Sequence, residues 1–123
     1  MDENENKNGI YGNDRRSIKP QHIYQIFDWF KSIVFKYGVS GSKLNKDGSS
    51  PRANLQVNQK NKETGKEQYS AEILQTNIEN REKALEIEKQ LVTEFFEKNN
   101  KKPDGNIRPE PDKETQNNSN QES

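Results

Sequence analysis

Residues 22–41 read HIYQIFDWFKSIVFKYGVSG, a run rich in β-branched and aromatic side chains that any fold of this chain must accommodate. Ile23, Tyr24, Ile26 and Phe27 predict one strand, and Ile33-Val34-Phe35-Lys36-Tyr37-Gly38-Val39 predicts a second. Trp29-Phe30-Lys31-Ser32 falls between them as the turn, although it lacks the Asn-Gly or Asp-Gly pair of a tight hairpin. A helix through residues 22–35 competes with this reading, because Ile23, Ile26, Phe27, Phe30 and Val34 also keep a 3.6-residue spacing. Gly38 and Gly41 favour the extended form.

The rest of the chain has to cover that hairpin. Its apolar residues lie mainly between Ile18 and Phe96, and only 26% of the 123 residues are hydrophobic. That supports one small domain with a thin stability margin. Residues 40–50 form a polar loop with turn chemistry at Asn45-Lys46-Asp47-Gly48. Ser50-Pro51 reads as an N-cap and first helical residue, opening a helix that carries Ala53, Val57 and Lys60 on one side and stops before Gly65. Asn58 and Asn61 on that helix read as surface or capping groups. Residues 67–76, EQYSAEILQT, predict a third strand. After a cap at Asn77 or Asn80, Ala84, Leu85, Ile87, Leu91, Val92, Phe95 and Phe96 mark one broad apolar face of a helix over 81–98. Pro103 and Gly105 end it.

The expected fold is therefore α+β: a three-stranded antiparallel sheet with two main helices in the order β-β-α-β-α. The domain is expected to span 20–108, with a disordered N-terminal arm over 1–19 and a disordered tail over 109–123. The absence of cysteine rules out disulfides, thiolate metal sites and a Cys nucleophile. Neither a signal peptide nor an apolar run of membrane-spanning length is present, which suggests a cytoplasmic protein or one delivered into a target cell.

Net charge is zero but unevenly placed. Residues 15–66 hold eleven Lys/Arg against three acids, whereas 1–14 carry a net −3 and 67–123 a net −5. A basic first half can attract phosphate. Solvated surface lysines would give the same count.

The element order and five of its residues resemble the GIY-YIG nuclease domain, as carried at the C-terminal tips of bacterial Rhs-type polymorphic toxins. His22-Ile23-Tyr24 stands at the family's first tripeptide and Phe35-Lys36-Tyr37-Gly38-Val39-Ser40 at the second. Arg52 follows on the first helix, Glu88 lies on the second before Leu91-Val92, and Asn106 comes after that helix ends. The block KYGVSGSKLNKDGSSPRANLQVN strengthens the likeness to the toxin tips. Two positions depart from the family pattern: His22 replaces the first Gly, and Lys36 stands where the second Tyr is expected. The literal Gly9-Ile10-Tyr11 lies too far from Tyr37 to be its hairpin partner.

The resemblance implies a metal-dependent endonuclease using Mg²⁺ or Mn²⁺ on DNA or RNA, with DNA favoured as the nucleic-acid partner, a possible immunity protein as a second partner, and no membrane. Phosphodiester hydrolysis needs an activated water, cations on the phosphate oxygens and help for the leaving group. One carboxylate can hold one Mg²⁺ while waters fill its other positions, and Glu88 is the candidate. Arg52 can grip phosphate through its fork. Tyr24 is a candidate base or relay, and either Lys36 or Tyr37 fills the second tyrosine's place. Asn106 would orient Glu88 or the backbone near it, His22 (read as a strand-edge polar group) and Gly38 would support the site, and Lys43 and Arg81 would contact substrate.

Each residue also has a plain structural reading. Tyr24 and Tyr37 could be sheet aromatics, Arg52 and Arg81 surface charge, and Glu88 one of several solvated acids on its helix, with Glu86 as the backup. Two other functions fit the sequence: a non-catalytic nucleic-acid-binding module using the basic half, and an interaction protein whose long amphipathic helix docks a partner.

Overall fold

The protein is described by a computed structural model over residues 18–111. Strands β1 (Gln21–Asp28) and β2 (Ile33–Ser40) precede helix α1 (Pro51–Thr64), strand β3 (Tyr69–Ile78) and helix α2 (Arg81–Asn99). The strands form one antiparallel sheet in the order β2-β1-β3. The α+β expectation and its element order hold. The expected disordered arm and tail fall largely outside the described residues. Of the expected tail, Pro109 and Glu110 line a cleft, and Glu110 pairs with Lys102 at 2.8 Å.

β1 is the central strand, and it is covered on both faces. Tyr24 and Ile26 pack with Ala53 of α1, Tyr69, Phe35 and Val57. Ile23, pointing the other way, packs with Val39, Ile78 and Ala84 of α2. A strand buried on both faces reads as a near-continuous apolar run, which is why its sequence also matches helical spacing. The turn that lacks Asn-Gly is closed by other means. Asp28 Oδ1 accepts the N–H groups of Phe30 (3.0 Å) and Lys31 (3.1 Å), and Ser32 takes the left-handed conformation at φ 55°.

Helix α1 is bounded as its sequence predicts. Ser50 accepts the Ala53 N–H, Pro51 opens the first turn, and Gly65 closes the helix at φ 71°. Lys60 lays its ammonium over the Phe35 and Tyr69 rings, at 4.9 and 5.5 Å. β3 begins two residues later than expected. Asn61 explains the offset: its side-chain oxygen accepts the N–H groups of Gln68 and Tyr69, and its amide donates to the Tyr69 carbonyl. Asn80 caps α2 by accepting from Lys83, while Asn77 sits just before it at φ 56°.

Helix α2 buries Ala84, Glu88, Val92 and Phe95, with Leu85, Ile87 and Leu91 packed at the margin. The apolar face is thus spent on the sheet, which leaves the partner-docking reading of this helix without a surface. Glu88 lies within the buried stripe and is not one of the solvated acids of its helix.

Candidate functional site

Five residues from four elements line one cleft of about 1110 Å³. β1 supplies Tyr24, β2 supplies Lys36, α1 supplies Arg52, and α2 supplies Arg81 and Glu88. The 105–110 segment closes the remaining side with Gly105, Asn106, Ile107, Arg108, Pro109 and Glu110. Five cations face three carboxylates around this wall, so the cleft favours an anion.

Tyr24 reaches the cleft because Gly38, its cross-strand partner, has no side chain. A Cβ at Gly38 would overlap the Tyr24 ring. That one glycine seats the aromatic, which is only 1% exposed yet contributes to the cleft wall. The Tyr24 hydroxyl donates to Gln56 Oε1 at 2.8 Å. Burial pushes the phenol above its usual value, opposed by the neighbouring Arg52 guanidinium and by the Gln56 bond. At neutral pH this phenol keeps its proton.

Glu88 is only 8% exposed, and burial raises its carboxyl from 4.5 to about 7 against the pull of Arg81 and Lys36. Lys36 is lowered by burial and by Arg52, with Glu88 acting the other way. Arg81 is likewise lowered by burial, with Glu88 opposing. These couplings place Lys36, Arg52, Arg81, Tyr24 and Glu88 in each other's fields. Arg81 donates from Nη1 to Gln21 Oε1 (3.3 Å) and to the Val39 carbonyl (3.4 Å), while its buried Nε has no hydrogen-bond partner.

Not every expected residue arrives at the cleft. Tyr37 pairs with Gln25 and points to the sheet face opposite Lys36, as strand alternation requires. Burial and the Glu94 carboxylate both raise its phenol, and it does not line the cleft. Of the two candidates for the second tyrosine's place, Lys36 is the one in the cleft. His22 is not at a strand edge: it lies on the central strand, buried, with Nε2 2.8 Å from the Ser50 hydroxyl. Its role is to brace the start of α1. Lys43 lines a separate recess. Asn106 does not bond Glu88; it clips the backbone of β2, accepting the Tyr37 N–H (2.8 Å) and donating to the Tyr37 carbonyl (3.0 Å) and the Arg108 carbonyl (2.8 Å).

Two contributors escaped the sequence reading. Gln56 follows Arg52 by four residues, so the two share a helix face, and that spacing was the available signal. Arg108 reaches the cleft only because Asn106 anchors the chain beside β2. No local pattern marks it.

A family model described as URI fold toxin 2 matches residues 14–100. The chain belongs to this family of URI-fold toxins. The matched stretch of the toxin domain includes every strand and helix above and ends before the 105–110 wall. No curated protein and no solved structure matches the chain.

Proposed function

We propose that this URI-fold toxin domain is a nuclease of the GIY-YIG type that hydrolyses phosphodiester bonds in a nucleic acid. The observation that carries the reading is the meeting of Tyr24, Lys36, Arg52, Arg81 and Glu88 in one cleft. A phosphodiester brings negative charge that grows at the leaving oxygen, and three cations surround the place it would occupy. Arg52, exposed at the first turn of α1, can hold two phosphate oxygens at once. Lys36 and Arg81 neutralise the charge from the sheet and from α2. The Tyr24 O–H points at Gln56 Oε1, so toward substrate the phenolic oxygen acts as an acceptor, shared between the Arg52 guanidinium and an attacking water.

The donor set fits a hard cation held through few protein ligands. Among the described residues Glu88 is the one buried carboxylate on the cleft wall, and a single carboxylate can hold Mg²⁺ or Mn²⁺ whose other positions are filled by water and phosphate. Glu88 is the residue that would hold it, and the ion would supply Lewis-acid relief of the charge on the phosphate. Ionised Glu88 is required for that role. Because its carboxyl is raised to about 7, the fraction ready at neutral pH is incomplete, and either the cation or higher pH would increase it.

As a toxin of this kind the domain would act inside a target cell and be neutralised by an immunity protein covering the cleft. The deciding experiment is cleavage of plasmid DNA and of RNA with Mg²⁺ or Mn²⁺. Wild type should cut, and Glu88→Ala and Arg52→Ala should each lose at least about 100-fold in rate. Binding without cleavage would leave a non-catalytic nucleic-acid module. Full activity in both variants would sink the assignment.

A further inference from the structure

A second depression of about 440 Å³ lies at the start of β1, lined by Lys19, Gln21, His22, Lys43, Leu44 and Asn77 among others. It contains two lysines and no acid. Lys43 is exposed and makes no hydrogen bond or ion pair among the described residues. Pro20 and Leu44 supply apolar wall, and Thr76 and Asn77 supply hydrogen-bonding edges. A bare phosphate would leave most of this volume empty. A nucleotide would use the cation, the apolar wall and the polar edge together.

The recess adjoins the cleft. Gln21 lines the recess, and its Oε1 accepts from Arg81, which lines the cleft. On the other side, Val39 belongs to the cleft wall and Gly41, two residues on, to the recess. His22 and Tyr24 stand on the same face of β1 with ring centroids 6.2 Å apart, one on each side of this divide. A strand whose phosphate sits between Arg52 and Glu88 can therefore continue past Arg81 without leaving a cationic surface.

We infer that this recess is a subsite for the nucleotide next to the scissile phosphate, with Lys43 contacting its phosphate and Leu44, Pro20 and Asn77 receiving its sugar and base. The inference rests on the nuclease reading, and it adds that the enzyme grips its substrate beyond the bond it cuts. The Ser42 and Thr76 hydroxyls and the Asn77 amide can bond a sugar hydroxyl or a base edge, and parallel DNA and RNA arms separate ribose from deoxyribose strands.

The experiment uses the full chain carrying Glu88→Gln, so that binding is measured without turnover. Fluorescence anisotropy is recorded with labelled single strands, DNA and RNA, lengthened one nucleotide at a time from two to six. Affinity should step up at the length that first reaches the recess. Adding Lys43→Ala should abolish that step, weaken the longer strands by about 3- to 10-fold and reduce the salt slope by about 0.7, the value for one single-strand phosphate contact. Lys43→Glu should weaken them further. A step that survives Lys43→Ala, or a salt slope that does not change, overturns the subsite while leaving cleavage by the parent protein intact. A parent that neither binds nor cuts any strand overturns the nuclease reading itself, and the subsite with it.

Discussion

Glu88 shows how a single side chain can oppose the fold that carries it. Its position on α2 belongs to the buried stripe of Ala84, Val92 and Phe95, where an apolar residue would pack without penalty. The raised carboxyl means that the folded protein holds this proton more tightly than the unfolded chain does. That contribution to stability is complete below about 4.5 and is lost as pH rises through about 7. At pH 8 the ionised group costs on the order of 3 kcal/mol, from the difference between the two values. Glu88→Gln should therefore raise stability by about 2–3 kcal/mol at pH 8 and by little at pH 4, measured by urea unfolding at the two pH values. Equal effects at both would mean the carboxylate is better solvated than its surroundings indicate. A stabilising substitution that removes activity is the mark of a residue kept for function.

At the scale of elements, the two edges of the sheet are treated differently. The outer edge of β2 is engaged by the chain after α2: Gly105 donates to the Phe35 carbonyl at 2.7 Å, and Asn106 bonds both backbone groups of Tyr37. Asn106 thus replaces a strand neighbour with one amide, and in doing so it places the 105–110 wall beside Tyr24 and Lys36. Asn106→Ala would leave the part-buried Tyr37 N–H and carbonyl without this partner. It should cost about 1–3 kcal/mol in thermal or denaturant unfolding, and it should lower cleavage more than the stability loss alone accounts for. Asn106→Asp retains the acceptor but not the donor and should fall between the two. A variant as stable as wild type would show that the edge is satisfied by other groups.

For the whole molecule, the site is a product of closure. The β1–β2 hairpin supplies a floor, α1 and α2 supply opposing cations, and the segment after α2 returns to complete the rim. The family match ends at residue 100, yet Arg108 and the Asn106 clip lie beyond it. Truncation after Asn100 should leave the sheet and both helices in place, with an unchanged far-ultraviolet spectrum. It should also lower the melting temperature by several degrees, about 4–8 °C per kcal/mol lost in a domain of this size, and reduce cleavage at least about 10-fold. Undiminished cleavage would show that the rim contributes nothing to substrate positioning.

Much of this was legible along the chain because it depends on neighbours in sequence. Ser50, Pro51 and Gly65 bound α1 through contacts within one turn. The alternation of β2 places Lys36 and Tyr37 on opposite faces, whatever the rest of the fold does. Period and capping thus carried the α+β order, while which of Lys36 and Tyr37 faces the cleft was decided by how the sheet is covered. The sequence could not reveal which strand was central, so His22 read as an edge residue when it is buried against Ser50, 28 positions away. Nor could it show that Glu88, among the acids of its helix, would be the one enclosed, or that Gln56 and Arg108 would join it. Burial and field are set by the packing of groups distant in sequence: Arg81, Lys36 and the α2 stripe act on Glu88 only once the sheet has formed. The residue types that the proposed chemistry needs were present in the sequence by itself. Their meeting in one cleft, with Glu88 buried in its wall, was decided by tertiary structure, because a carboxylate's proton affinity depends on what surrounds it in space.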